Sequence, residues 1–209
     1  MSRLRIFPIV EGHGEDRAIR ILLERIWSEL LRGDYVEVLK PFRGKRLKLI
    51  QTPELSRVLD VAIQKLQPSK SKDRAMILVL LDADDDPPCL LGPRLLSLAQ
   101  AARSDADVSC VIANVEYETW FVAAAESLSG FLDLSGDVAS SALPEKARQG
   151  KAWIKKRYRG VKYSEGIDQP AMTKAMDLAL CRQRSPSFDK LCRELEARLE
   201  RNTHDSQPG

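Results

Sequence analysis

The sequence predicts an α/β fold with a mostly parallel sheet flanked by helices, and two observations predict it. Short apolar runs of strand length alternate with amphipathic stretches of helical spacing from Leu4 to Ala125. Three of those runs also stop at carboxylates: Glu11, Asp82 and Glu116. Alternating strands and helices give parallel strands, whose carboxyl ends share one edge of the sheet.

Taken in order, Leu4–Val10 is the first strand, closed by Glu11-Gly12. Ile19, Leu22, Leu23, Ile26 and Leu30 then mark one face of a helix over Asp16–Leu31, ended by Gly33-Asp34. Tyr35–Leu39 is a second strand and Gly44–Leu49 a basic loop. Thr52-Pro53-Glu54 starts a helix that runs to Leu66, and Pro68–Asp73 connects it to a third strand, Ala75–Leu81. Gly92–Arg103 is helical, Val108–Ala113 is a fourth strand, and a short helix lies near Trp120–Ala125. Gly130–Ala142 is a loop rich in Gly and Ser; helices follow near Pro144–Tyr158, Ala171–Cys181 and Ser187–Arg201, with a frayed tail after Asn202. The expected division is an α/β domain over 1–129 and a helical C-terminal extension over 130–209 packed on it.

The 209 residues suffice for one sizeable core, and 44% apolar with 30% charged residues is ordinary for a soluble globular protein. No stretch approaches the length of a membrane span, and the first residues lack the apolar region of a signal peptide. Cys89, Cys110, Cys181 and Cys192 show no pairing pattern, and with His13 and His204 they form no zinc signature. Reduced thiols in a cytoplasmic protein are the expectation. The net charge of +3 is unevenly spread, with cations gathered in Lys40–Lys48 and Lys146–Lys162. A basic surface beside an acidic pocket suits a polyanionic substrate.

Asp82-Ala83-Asp84-Asp85-Asp86 follows directly on the third strand. Extended-chain alternation puts Asp82, Asp84 and Asp86 on one side, and a D-x-D step suits a hard divalent cation such as Mg²⁺ or Mn²⁺. An acidic, solvated turn closed by Pro87-Pro88 is the plainer reading. Carboxylates grouped at three strand ends raise one another's pKa unless a cation compensates, which favours the metal.

Val10-Glu11-Gly12 after a first strand and Asp82-Ala83-Asp84 after a later one resemble the Toprim pattern of topoisomerases, primases and overcoming-lysogenization-defect nucleases. Val10-Glu11-Gly12-x-Gly14-Glu15, Leu80 to Asp86, Glu116-Tyr117-Glu118-x-Trp120-Phe121 and Arg184-Ser185-Pro186-Ser187-Phe188 resemble an uncharacterised prokaryotic Toprim-like family. The resemblance implies a Rossmann-type sheet, Glu11 as acid/base or metal ligand, and Asp82 and Asp84 as metal ligands. It also implies a neighbouring, separately encoded ATPase and a role in defence against foreign DNA. Glu116 and Glu118 have no counterpart in the minimal pattern. They offer a second metal position or serve a helix start, where carboxylates favour the dipole.

Gly12-His13-Gly14 lacks the full phosphate-loop fingerprints; His13 reads as a loop residue and Glu15 as a helix N-terminal acid. In the C-terminal third, Lys151, Trp153, Lys155, Lys156, Arg157 and Tyr158 mix cations with aromatics, as a nucleic-acid surface does. A buried helical stripe with wet lysines is the competing pattern for Trp153 and Ile154. Lys151 is the pointed candidate for neutralising charge at a scissile phosphate. Asp168-Gln169-Pro170 reads as polar and unnecessary to a core. Ser187 reads as an N-cap, and Arg184 reaches a phosphate or pairs with a carboxylate. The expected function is a divalent-metal-dependent nuclease acting on nucleic acid, DNA before RNA. Glu11 and Lys151 are catalytic, Asp82, Asp84, Glu116 and Glu118 hold metal, and Lys155, Lys156, Arg157 and Arg184 bind the strand. The alternative is a non-catalytic partner or sensor module of the ATPase.

Overall fold

A computed structural model describes residues 4–67, 74–135 and 150–204. Its centre is a sheet of β1 (Leu4–Val10), β2 (Val36–Val38), β3 (Phe42–Arg43), β4 (Arg74–Asp82) and β5 (Val108–Ala113). The order is β2-β1-β4-β5, with β3 also paired to β1, and every pairing in the sheet is parallel. The helices are α1 (His13–Arg25), α2 (Arg46–Leu49), α3 (Thr52–Leu66), α4 (Pro88–Ala102), α5 (Glu118–Ala123), α6 (Gly150–Arg157), α7 (Glu165–Ala175), α8 (Leu178–Arg184) and α9 (Pro186–His204).

Both faces of the sheet are covered, which is why its central strands read as unbroken apolar runs. The period of two is clear in β4. Met76, Leu78 and Leu80 enter one core with Ile19, Leu22, Trp120, Met172 and Phe188; Ile77, Val79 and Leu81 enter the other with Leu55, Leu59, Leu91 and Leu95. The first core therefore joins residues from both ends of the chain.

Several local expectations need correction. The helix expected over Asp16–Leu31 ends in a π turn over Ile26–Leu30, where the Leu31 N–H donates to the Ile26 carbonyl. The basic loop over Gly44–Leu49 contains α2, and its Arg46 is buried. Pro170, which precedes the helix expected from Ala171, lies inside α7. A proline there withholds the N–H that would meet the carbonyl four residues earlier. Arg17 of α1 supplies a hydrogen instead, its Nη1 donating to the Gly166 carbonyl at 3.0 Å. The real break in the expected Ala171–Cys181 helix comes at Asp177, whose carboxylate caps α8 by accepting from the Leu180 N–H. Asp168 and Gln169 are buried, contrary to their polar reading. Ser185, not Ser187, stands before α9 and accepts from the Phe188 N–H, while the Ser187 hydroxyl accepts from Trp120 Nε1 at 2.9 Å. The connector Pro68–Asp73 and most of the Gly130–Ala142 and Pro144–Arg148 stretches lie outside the described residues.

No described helix is long and apolar enough to cross a membrane. The four cysteines are free thiols; Cys89 is exposed and the others are buried.

Candidate functional site

The parallel register aligns the carboxyl ends of β1, β4 and β5, with Ile9 beside Val79 and Asp82 beside Ala113. The loops that leave those ends therefore start side by side. Two of them are stitched together: the Ala83 N–H donates to the Ala113 carbonyl at 3.0 Å, and the Asp84 N–H to the Val115 carbonyl at 2.8 Å. Asp84 and Val115 both have positive φ, 50° and 62°. For a β-branched valine that conformation stores on the order of 1–3 kcal/mol, and such strain collects at functional sites.

The turn at Asp84 corrects the simple alternation. The chain is not extended beyond Asp82, so the acidic run divides. Asp82 turns inward and its Oδ1 accepts from the Tyr117 N–H at 2.9 Å. Asp84 and Asp86 stay exposed and face Arg46, which pairs with Asp84 at 3.5 Å and also binds Asp86. Arg46 donates as well to the Asp82 and Ala83 carbonyls, both at 2.9 Å, holding the β4 end in place. Nothing in the basic composition of that segment marks Arg46 out from its neighbours; only its burial does.

Inward-facing carboxylates meet around Asp82. Burial first, then the charges of Glu15, Glu118 and Glu11, push the Asp82 carboxyl well above its ordinary pKa. Glu11 is raised by burial and by the charges of Asp84 and Glu15, against an opposing hydrogen bond from the Arg46 backbone. Glu118 is 1% exposed and burial lifts it to about 7, with Lys151 opposing and Glu116 adding to the rise. Glu15 is likewise raised by burial, although the Gly12 N–H and the Gln169 side chain donate to it. Glu15 thus serves the α1 N-terminus as expected and also belongs to the acidic cluster. His13 is exposed at the first position of α1.

Lys151 is the cation of this cluster. Its Nζ lies 3.1 Å from Glu165 and 4.0 Å from Glu116, and its backbone N–H donates to the Glu116 carboxylate. Burial opposes its charge, but Glu118, Glu165 and Glu116 outweigh that and hold the amine protonated. Tyr163 donates its hydroxyl to Glu118 at 3.0 Å. Sequence reading missed Glu165, which lies on a segment with no motif; it took Tyr163 as an aromatic of the nucleic-acid surface and Gln169 as polar and unnecessary to a core, not as partners of this cluster.

Gly150 and Gly14 let these elements approach. A Cβ on Gly150 would sit 2.7 Å from the Thr119 nitrogen and 2.9 Å from the Glu118 carbonyl carbon, both backbone atoms. Gly150→Ala is therefore expected to cost about 1–3 kcal/mol by overpacking, whereas Gly166→Ala, with open space around its Cβ, should be neutral or slightly stabilising. Urea unfolding of the two variants checks this. At Gly14 the neighbour is Gln169, whose Oε1 would lie 1.5 Å from an added Cβ.

Of the expected site residues, Glu11, Asp82, Glu116, Glu118 and Lys151 come together, with Asp84 at the rim beside Glu11. Lys155 and Lys156 are exposed further along α6, and Arg157 stacks over Trp153 with its guanidinium 4.2 Å from the ring centre. Trp153 is half-buried against the core, between the two roles read for it. Arg184 is not on this surface: it pairs with Glu126 at 2.7 Å and donates to the Ala123 carbonyl.

The donor set is oxygen only, which fits a hard cation. Among the described residues no group of three or more His, Cys, Asp or Glu side chains is arranged to hold a metal ion. A closed structural zinc site needs such a group; Mg²⁺ takes one or two carboxylates and keeps several waters. Comparison with known proteins adds one relationship: no curated protein and no solved structure matches, while a family model matches residues 10–196. The chain belongs to that family, described as Domain of unknown function (DUF4276).

Proposed function

We propose that this protein is a Mg²⁺- or Mn²⁺-dependent phosphodiesterase of Toprim-like type that cuts nucleic acid, DNA in the first instance, in defence against foreign DNA. The supporting observation is that burial, and then the charges of Glu15, Glu118 and Glu11, raise the proton affinity of Asp82 at the end of β4, while Glu11 at the end of the neighbouring β1 is raised as well. Such a cluster favours a bound positive charge, and a divalent ion provides more of it than protons do. Glu11 with either Asp82 or Asp84 holds the ion in this reading, water completing its shell, and Glu116 and Glu118 border a second position. The bound ion supplies Lewis-acid polarisation of a phosphodiester and neutralises its charge.

The chain's own groups do the rest. Glu118, lifted to about 7, is poised to accept or return a proton near neutral pH. Lys151, held protonated, stands where it stabilises negative charge on a phosphate. Lys155, Lys156 and Arg157 continue from Lys151 along α6 and guide the backbone.

Supercoiled plasmid incubated with the protein and Mn²⁺ or Mg²⁺ tests the proposal. Nicking that EDTA abolishes is expected. Lys151→Gln should slow it about 10²–10³-fold, as loss of one transition-state donor does, while leaving Mn²⁺-induced thermal stabilisation in place. Cleavage that ignores EDTA, or none by the wild type with either metal, contradicts the reading and leaves the non-catalytic partner module.

A further inference from the structure

β5 is the last strand of the sheet, paired on one side by β4. The Ile77 N–H donates to the Asp107 carbonyl and the Ala83 N–H to the Ala113 carbonyl. In a parallel ladder that pattern turns the backbone of residues 107, 109, 111 and 113 toward β4 and that of 108, 110 and 112 outward. Asn114, next in the outward set, gives its N–H to the Ser187 hydroxyl at 3.3 Å. The outward N–H and C=O groups of Val108, Cys110 and Ile112 have no partner among the described residues.

An ordinary sheet edge lies open to water. This one is the floor of a slot of about 540 Å³, walled by Cys89, Gly92 and Leu96 of α4 and by Ser187, Lys190, Arg193 and the less exposed Glu194 of α9. No residue of β5 is more than 8% exposed. Buried backbone groups without partners are uncommon, and an exposed row of them is a template for another strand.

We propose that this slot binds an extended, acidic-apolar peptide segment of a partner protein, which adds a strand beside β5. Alternate side chains of such a segment meet different walls. One set faces the apolar wall of α4; the other faces α9, whose ion pairs each present the cation outward. Lys190 is 46% exposed against 19% for its partner Glu194, and Arg193 is 61% exposed against 32% for Asp189. Apolar residues alternating with acidic ones complement both walls. A second copy of this chain does not fit, because its own β5 is recessed between its own α4 and α9. The unpaired groups recur at the two-residue repeat of a strand, which a peptide backbone matches group for group.

The probe is a capped octapeptide of alternating valine and glutamate, added at millimolar concentration to the full chain. Its binding should slow amide hydrogen exchange at Val108, Cys110 and Ile112 at least about tenfold. N-methylation of one alternate set of peptide amides should weaken binding at least about tenfold, and of the other set much less. The valine–lysine octapeptide should bind more weakly at low salt. Gly92→Phe fills the slot from α4, where an added Cβ meets only Ile112 at 3.6 Å, and should abolish protection without lowering Tm. Unchanged exchange at those amides, equal binding by Gly92→Phe, indifference to which amides are methylated, or protection from self-association in sedimentation overturns the proposal.

Discussion

Asp82→Asn is expected to remove metal-dependent DNA cleavage while making the ion-free protein more stable. The two effects share one cause. Asp82 is half-buried beside Glu15, Glu118 and Glu11; its own withdrawal from water first, and then their charges, disfavour its ionised form. Asparagine keeps the oxygen that accepts from the Tyr117 N–H and discards the charge. Loss of a ligand to a catalytic ion forfeits several kcal/mol of charge stabilisation, about 10²–10³-fold or more in rate. Without metal at pH 8, removing the repulsion should raise Tm by at least about 2–4 °C, the shift that about 1 kcal/mol produces in a domain of this size. Plasmid nicking and a thermal melt on the same preparation check both halves. A variant inactive but less stable than wild type would show Asp82 to be a structural anchor.

The second large effect is on pH. The Glu118 carboxyl has its folded pKa raised from 4.5 to about 7, so the folded state binds that proton more tightly than the unfolded chain. Stability is then fully present below about pH 4.5 and falls as pH rises through 7. The shift amounts to on the order of 3 kcal/mol for this residue, and Asp82, Glu11 and Glu15 act in the same direction. Under the proposed function a divalent ion would take the place of the lost protons. Saturating Mn²⁺ should therefore raise Tm more at pH 8 than at pH 5, and Glu118→Gln should flatten the metal-free profile. A Tm that rises from pH 5 to pH 8 without metal would contradict this.

Much of the frame was legible in the residues. β1 and β5 run over the stretches their apolar runs mark, because strands buried on both faces advertise themselves by composition. That Glu11 and Asp82 stand at the ends of adjacent strands was legible because a parallel sheet turns strand ends in sequence into neighbours in space. Less visible were features set by tertiary contact. Pro170 continues a helix because Arg17 completes the Gly166 carbonyl, a partner far away in sequence. Arg184 looks like a phosphate ligand until Glu126 is placed beside it. The inward turn of Asp82 away from Asp84 depends on a left-handed residue that alternation cannot foresee.

Glu11 and Asp82 on adjacent strand ends gripping one divalent ion is the claim from which the chemistry follows. The most direct measurement is anomalous scattering from crystals soaked in Mn²⁺. A manganese peak at an oxygen-ligand distance, about 2 Å, from Glu11 and from Asp82 or Asp84 is the predicted result. Manganese bound elsewhere, or a metal-free cluster at saturating Mn²⁺ and pH 8, would contradict it.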